Sequence, residues 1–184
     1  MEIYTVQDAD LNITYIKDFI TMDQSKIIFD AIAEIFNERK DSTYRRVNTI
    51  VGDEGIEYLG TPVESWDYVP YVAGLKPIIE KMFNTTFNTC SAMWYQTGRI
   101  GIKPHRDREM HDNIIVGLSL GATRTLEIVN SSPYAKNRIY QFILYPGSLY
   151  AFHSPTNLKC SHSILKDPTI TEPRISLTFR DFPE

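Results

Sequence analysis

A change in hydrophobic periodicity near residue 85 constrains the fold of this chain more than any other feature. Before it, apolar residues recur at helical spacing in two segments, one that follows Thr21 and Asp23 and one over Val72–Phe83. After it, apolar and polar residues alternate in short runs between turn residues: 88–95, 114–120, 125–130, 140–144, 148–152 and 174–180. Two helices followed by many short strands predict an α+β, mainly β domain that forms a sandwich or barrel.

Each helical segment is predicted to pack on the core through one apolar face. In the first segment the apolar positions are Ile27, Ile28, Ala31, Ile32, Ile35 and Phe36. In the second they are Leu75, Ile78, Ile79 and Met82. Pro77 is expected to kink the second helix or to mark its first turn. Residues 37–70 are irregular and polar, which favours loops over a barrel mouth rather than core.

The length of 184 residues fits one domain over residues 1–184. No stretch approaches the roughly 20 apolar residues of a membrane span, and the first residues lack the basic and apolar parts of a secretion signal. We therefore expect a soluble, intracellular monomer without a membrane partner. Cys90 and Cys160 are too far apart for a CxxC zinc site and too few for a disulfide framework.

The net charge of -4 argues against broad, nonspecific binding of nucleic acid. Two local basic clusters leave phosphate contacts open, beside the alternative of a solvated charged face. They are Arg39, Lys40, Arg45 and Arg46, and Arg99, Lys103, Arg106 and Arg108.

The triplet His105-Arg-Asp107 places an imidazole and a carboxylate on the same side of an extended backbone. Such a triplet is common by chance, and two exposed polar residues on a loop would explain it equally well. His162 lies downstream in a strand-like run and completes a set of two histidines and one carboxylate. This is the facial set that holds iron(II) and leaves coordination positions open.

The last predicted strand is unusual because an arginine stands at each end of its polar side. Alternation directs Ile175, Leu177 and Phe179 to one side and Arg174, Ser176, Thr178 and Arg180 to the other. If the polar side faces a barrel interior, the arginines need anionic partners. The two Cα atoms are roughly 20 Å apart, which fits two extended arginine side chains with a dicarboxylate between them.

Six motifs in order carry a resemblance to a known family. They are Tyr95-Gln-Thr-Gly98, His105-Arg-Asp107, Gly147-Ser-Leu-Tyr150, Pro155-Thr-Asn157, His162-Ser163 and the strand from Arg174 to Arg180. Together they resemble the AlkB family of iron(II) and 2-oxoglutarate dioxygenases, most closely the eukaryotic branch that repairs alkylated DNA and RNA. Gly52-Asp-Glu-Gly55 and Tyr58 extend the likeness to a loop that helps to form the nucleotide pocket in this family.

The resemblance implies a double-stranded β-helix (jelly-roll) core over residues 86–182, preceded by helices and nucleotide-recognition loops over residues 1–85. It implies that His105, Asp107 and His162 form the catalytic iron(II) site, with dioxygen as co-substrate. It places the distal carboxylate of 2-oxoglutarate at Arg174, with Ser176 and Tyr95, and the proximal carboxylate near Arg180.

For the substrate, the resemblance implies an N-alkylated base such as 1-methyladenine or 3-methylcytosine in DNA or RNA. Oxidative demethylation would release formaldehyde, succinate and carbon dioxide. Tyr58, Arg108 and Glu109 are the candidate substrate contacts, with Glu109 accepting a hydrogen bond from the exocyclic amine of a flipped base. His111 and His153 do not fall on ligand positions.

Two departures from the family pattern keep other substrates open. Met93 stands where the family usually has an asparagine that contacts 2-oxoglutarate, and Gly60 stands near the place of a base-stacking aromatic residue. Met93 implies incomplete or rearranged co-substrate contacts. Gly60, together with the Glu38-Arg-Lys-Asp41 region that lacks an apolar wedge, favours single strands over duplexes, because an unstacked base needs less energy to extrude. The alternatives are the same chemistry on a protein, an RNA mark or a small molecule, and a non-catalytic barrel that binds an acidic ligand or partner.

Overall fold

The computed structural model describes residues 2–38, 46–107, 113–131 and 137–182. The strands in chain order are β1 (Ile3–Asp8), β2 (Leu11–Ile16), β3 (Arg46–Gly52), β4 (Glu57–Tyr58), β5 (Thr61–Pro62), β6 (Glu64–Ser65), β7 (Thr89–Tyr95), β8 (Ile102–His105), β9 (Ile115–Gly121), β10 (Arg124–Asn130), β11 (Arg138–Leu144), β12 (Leu149–Phe152), β13 (Cys160–Ile164) and β14 (Arg174–Arg180). The helices are α1 (Met22–Glu38), α2 (Val72–Phe83) and α3 (Thr156–Lys159), with a 3-10 turn at Trp66–Tyr68.

The strands form two main sheets that enclose the core. The larger sheet has the order β1-β2-β12-β9-β14-β7-β3-β6, the smaller has the order β11-β10-β13-β8, and β4 pairs separately with β5. From β7 onward the chain crosses between the two sheets, with β7, β9, β12 and β14 in one and β8, β10, β11 and β13 in the other. This is the strand order of a double-stranded β-helix, so the predicted fold class is confirmed.

The prediction of loops for residues 37–70 is wrong in part. β3 pairs with β7 over its whole length, from Arg46 opposite Tyr95 to Gly52 opposite Thr89, and Val51 is fully buried. The strand was missed because a half-buried strand carries polar residues at alternate positions, and here the buried Thr49 also occupies an inward position. The pair β1 and β2, also missed, extends the opposite end of the same sheet.

Helix α1 begins with a capping box. The Thr21 N–H donates to Oε1 of Gln24 at 2.9 Å, and the Gln24 N–H donates to Oγ1 of Thr21 at 3.2 Å. Thr21 rather than Asp23 is therefore the cap. The buried residues are Ser25, Ile28, Ile32, Ala33 and Phe36, whereas Ile27 is 56% exposed, which corrects its predicted place on the packed face.

Helix α2 spans the predicted residues, with Pro77 inside it, but its buried face differs from the prediction. Val72, Leu75 and Ile79 are buried, whereas Ile78 is 55% exposed and Met82 is 38% exposed. Only a narrow stripe of this helix faces the core, and Ile78 lies about 100° around the helix axis from Ile79. None of the helices in the described residues is long and apolar enough to cross a membrane.

The adjacent residues Ile78 and Ile79 test this corrected face directly. We expect Ile79→Ala to lower the free energy of unfolding by about 2–5 kcal/mol because it leaves a cavity in the core. We expect Ile78→Ala to change it by less than about 0.5 kcal/mol. Urea unfolding of the two variants beside the wild type measures both values. Equal losses would show that α2 is buried on both sides.

Candidate metal centre

The pairing of β8 with β13 brings two histidines together. His105 lies directly opposite His162 in the register, and their ring centroids are 4.2 Å apart. Oδ1 of Asp107 lies 3.4 Å from Nε2 of His105 and 3.9 Å from Nε2 of His162. One potential ligand atom from each side chain lies within 4.8 Å of the others, and no second group of this kind occurs in the part of the chain that the structure describes.

Asp107 is held through both its backbone and its side chain. Its N–H donates to Oδ1 of Asn157 on α3 at 2.9 Å, and Nδ2 of Asn157 donates to the Asp107 carbonyl at 2.6 Å. Nε and Nη2 of Arg180 lie 3.0 and 2.8 Å from the carboxylate Oδ2. Arg180 therefore engages one carboxylate oxygen and leaves the other directed at the histidines.

The hydrogen bonding of His105 suits metal ligation. Its Nδ1 lies 3.0 Å from the carbonyl oxygen of Lys103, which only accepts hydrogen bonds. In the neutral imidazole Nδ1 therefore carries the proton, and the Nε2 lone pair is left for a metal. Two such imidazoles and one carboxylate fit iron(II) with open positions, whereas structural zinc sites are closed by four protein ligands.

The three side chains differ in their tendency to take up a proton. Burial alone would raise the pKa of Asp107, but the hydrogen bond with His105 and the charge of Arg180 outweigh it and hold that pKa well below its usual range. The hydrogen bond to Asp107 raises the pKa of His105. Burial lowers the pKa of His162 to about 4. Near neutral pH, Asp107 is thus ionised and His162 is neutral, as metal ligands must be.

A cavity lies beside these three residues, between the two sheets. Ser176, Thr178 and Arg180 of β14 line it, whereas Ile175 and Leu177 of the same strand are fully buried on the other side. Apolar residues from both sheets complete the wall: Ile102, Ile115, Leu126, Phe152 and Ile164. The polar face of β14 therefore points to the cavity, as alternation along the strand requires.

Arg174 begins β14 and is fully buried. Its Nε donates to Oγ of Ser119 at 2.9 Å, its Nη2 donates to Oγ of Ser176 at 3.3 Å, and its guanidinium lies 5.0 Å from the centroid of the Tyr95 ring. Nη1 has no hydrogen-bond partner among the described residues. A buried guanidinium with hydroxyl neighbours and a free donor fits the carboxylate of a bound diacid.

An iron(II) donor set and a buried arginine for a diacid are the two parts that a 2-oxoglutarate-dependent oxygenase needs. A family model described as the 2OG-Fe(II) oxygenase superfamily matches residues 13–180, which include all three candidate ligands and β14. The chain belongs to the 2OG-Fe(II) oxygenase superfamily. Membership confirms the expected class of enzyme, an iron(II) and 2-oxoglutarate dependent dioxygenase, and its iron(II), 2-oxoglutarate and dioxygen.

The sequence relatives confirm the AlkB resemblance within this superfamily. Alpha-ketoglutarate-dependent dioxygenase alkB homolog 3 of Homo sapiens is 30% identical over 154 residues, which cover 77% of this chain and 54% of the relative. DNA oxidative demethylase ALKBH2 of Homo sapiens is 28% identical over 152 residues, which cover 77% and 56%. This chain thus spans about half the length of these curated relatives.

Solved structures show the same fold at low sequence identity. OsALKBH1 superposes with a TM-score of 0.63 and 16% identity, and the match covers 95% of this chain and 100% of the other. A Pseudomonas putida prolyl-4-hydroxylase superposes with a TM-score of 0.57 and 17% identity, covering 93% of each chain. These two differently named proteins therefore share the jelly-roll fold of this chain.

The predicted substrate residues are only partly within the described residues. Tyr58 on β4 lines an outer cleft of about 610 Å³ beside the triad, and its ring centroid is 5.6 Å from that of Phe182. Arg108 and Glu109 lie outside the described residues. Met93 lines both the cavity and the cleft. His153 lies away from the triad, with Nε2 2.9 Å from Oγ1 of Thr14.

Sequence reasoning missed several residues that support the site. Asn157 positions Asp107, Ser119 accepts a hydrogen bond from Arg174, and Tyr150 lines the cavity. Tyr150 and Asn157 are the last residues of the family motifs Gly147-Ser-Leu-Tyr150 and Pro155-Thr-Asn157, so these motifs could have identified them. Ser119 lay inside a predicted strand without any distinguishing pattern.

The pKa shifts predict how metal binding depends on pH. Below about pH 6.5 the free protein carries a proton on His105, whose pKa is raised, but not on His162, whose pKa is about 4. Metal binding must displace that one proton, so we expect affinity for manganese(II) to fall about tenfold for each pH unit below this range. Calorimetric titration between about pH 5 and 6.5 measures the slope.

The matched control is His153→Gln, which lies outside the triad and should keep the same slope and affinity. Asp107→Ala should lose binding at every pH. A slope of two protons per metal would show that His162 is also charged in the free protein, against its burial.

Proposed function

We propose that this chain removes methyl groups oxidatively from N-alkylated nucleobases of the 1-methyladenine and 3-methylcytosine type, as a monomer with a single catalytic domain. The observation that carries the proposal is the convergence of His105, Asp107 and His162, together with a buried arginine, Arg174, that has a free donor and lies on the same strand as Arg180. The nucleic-acid part draws support from relatives named as AlkB homologues and as a DNA oxidative demethylase.

In this proposal two groups of residues bind the metal and the co-substrate. His105, Asp107 and His162 hold iron(II). Arg174, Ser176 and Tyr95 bind the distal carboxylate of 2-oxoglutarate, and Arg180 lies near the proximal one. When bound, the metal and its co-substrates supply the oxidation of a C–H bond by dioxygen, with release of succinate and carbon dioxide.

The protein contributes placement and exclusion of water. Arg180 fixes the Asp107 carboxylate, so that one oxygen keeps its direction toward the metal position. Apolar residues such as Leu126 and Phe152 line the cavity and limit water near the reacting atoms. A substrate methyl group that enters from the outer cleft reaches His105 and Asp107, which line this cleft. Hydroxylation of an N-methyl group gives an unstable hemiaminal, which releases formaldehyde.

The outer cleft supplies candidate contacts for a nucleotide. Tyr58 offers an aromatic ring, and the exposed Lys103 and Arg106 offer positive charge for phosphates. From the resemblance we add Arg108 as a further phosphate contact and Glu109 as acceptor for the exocyclic amine of the base. These charges are local, which agrees with the net charge of -4 and favours a short contact with a single strand over extensive duplex binding.

A second candidate is the same oxygenase chemistry on a protein, an RNA mark or a small molecule. Its specific support is Met93, which lines both the cavity and the outer cleft where the family usually has a co-substrate asparagine. A thioether makes only weak hydrogen bonds, so the pocket wall is more apolar here than the family pattern.

One assay distinguishes these functions. The protein is incubated with iron(II), ascorbate and 2-oxoglutarate, with single-stranded oligonucleotides that carry 1-methyladenine or 3-methylcytosine, and both succinate and oligonucleotide mass are measured. We expect loss of the methyl mass together with formation of succinate. Both signals should vanish in Asp107→Ala and persist in His153→Gln.

Other results would redirect the proposal. Succinate without any change in the oligonucleotides would point to a different substrate of the same chemistry. The absence of iron-dependent succinate under all conditions would contradict the enzymatic proposal and favour a binding role. Faster reaction of a methylated duplex than of the single strand would contradict the single-strand preference.

A further inference from the structure

Tyr95 lies against two buried arginines, of which only Arg174 belongs to the predicted site. The guanidinium carbon of Arg124 is 5.7 Å from the Tyr95 ring centroid, and that of Arg174 is 5.0 Å from it. Arg124 is 2% exposed, Tyr95 is 2% exposed and Arg174 is 0% exposed. Both distances are in the range of cation–π contacts, and all three groups are shielded from water.

Arg124 makes its hydrogen bonds with backbone carbonyls rather than carboxylates. Its Nη2 donates to the carbonyl oxygens of Leu165 at 2.6 Å, Ile100 at 2.7 Å and Gly98 at 3.3 Å, and its Nη1 donates to that of Thr97 at 3.5 Å. Carbonyl oxygens solvate the guanidinium but do not neutralise it. Among the described residues, no Asp or Glu side chain accepts a hydrogen bond from Arg124.

These carbonyls join the segments that lead into the metal site. Residues 97–100 connect β7, which ends at Tyr95, to β8, which carries His105, and Leu165 directly follows β13, which carries His162. The segments pack closely, since a Cβ at Gly98 would lie 2.0 Å from the carbonyl oxygen of Asp167. Arg124 therefore fixes the turn after Tyr95 against the end of β13.

The two arginines leave an excess of positive charge around Tyr95. Burial lowers the pKa of Arg124, and the nearby charge of Arg174 lowers it further. Asp167 acts on Arg124 in the opposite direction, but this carboxylate is directed to the hydroxyl and N–H of Thr169. A ligand anion that reaches Arg174 therefore meets the charges of two neighbouring arginines.

We propose that Arg124 is a positioning residue for the distal carboxylate of 2-oxoglutarate, acting through Tyr95 and Arg174 rather than by direct contact. It fixes the Tyr95 ring and adds a second positive charge behind the first. This inference rests on the proposed function, in which Arg174 binds that carboxylate. It predicts that loss of Arg124 weakens the binding only of ligands that carry the distal carboxylate.

The test compares 2-oxoglutarate with 2-oxopentanoate, which has the same carbon chain without the distal carboxylate. Manganese(II)-loaded protein is titrated calorimetrically with each ligand, and its folding is checked by thermal unfolding. We expect Arg124→Met to weaken 2-oxoglutarate about tenfold and to leave 2-oxopentanoate within about twofold of the wild type. Arg124→Lys keeps the charge but not the planar fork, so its loss should be smaller, about threefold.

Lys166→Met is the matched control, because it removes an exposed positive charge from the segment that Arg124 contacts. It should leave both affinities unchanged. Equal weakening of both ligands by Arg124→Met would show a merely structural role and overturn the inference, as would no weakening of either. If Arg124→Met does not fold, Arg124→Lys decides by the same comparison of the two ligands.

Failure of the proposed function has a different signature. Wild-type protein that does not bind 2-oxoglutarate, or that binds both ligands equally, would contradict the placement of the distal carboxylate at Arg174. Wild-type discrimination that is lost in Arg174→Met but kept in Arg124→Met would leave the proposed function intact and overturn only the role of Arg124.

Discussion

The burial of arginine side chains along the cavity face of β14 is the constraint on which the site depends. A guanidinium removed from water must meet an anion or a dense set of acceptors, or the fold loses stability. Arg180 meets Asp107, and this contact fixes one candidate metal ligand. Arg174 meets only hydroxyl groups and an aromatic ring among the described residues, so its charge is available to a ligand. One strand thus positions a candidate metal ligand at one end and a candidate anion site at the other.

β14 can contact both the candidate metal ligand Asp107 and the neighbours of Arg174 because it lies in the middle of the larger sheet. It is paired on one side with β7, which ends at Tyr95, and on the other with β9, which carries Ser119. Its partners therefore supply the neighbours of Arg174, whereas the smaller sheet supplies His105 and His162 across the cavity. The close approach of Gly117 to Tyr150, whose ring a Cβ would meet at 2.2 Å, brings a further hydroxyl group to this wall.

Local sequence patterns predicted the parts of this arrangement that depend on one element. The alternation in β14 and the bounds of α2 follow from periodicity, because each is a property of a single strand or helix. Periodicity did not predict the exposed side of α2 or the strand β3, because both depend on which neighbouring element covers them. Arg124 was missed for the same reason. The carbonyls that it contacts are 24 to 41 residues away in sequence, and no local pattern marks a residue whose partners are backbone atoms.

Through its charge, a ligand bound at one end of the site also affects the binding of a ligand at the other end. Asp107 and Arg180 neutralise one another, whereas the buried Arg174 and Arg124 have no carboxylate hydrogen-bond partner among the described residues. A divalent metal alone would add two positive charges to the two of these arginines, and a dicarboxylate alone would cancel the charge of the arginines. Bound together, the dication and the dianion cancel, and the fixed charges of the protein face an overall neutral pair. In a low-dielectric cavity this difference is large, so each ligand should favour the binding of the other even without any change in the shape of the protein.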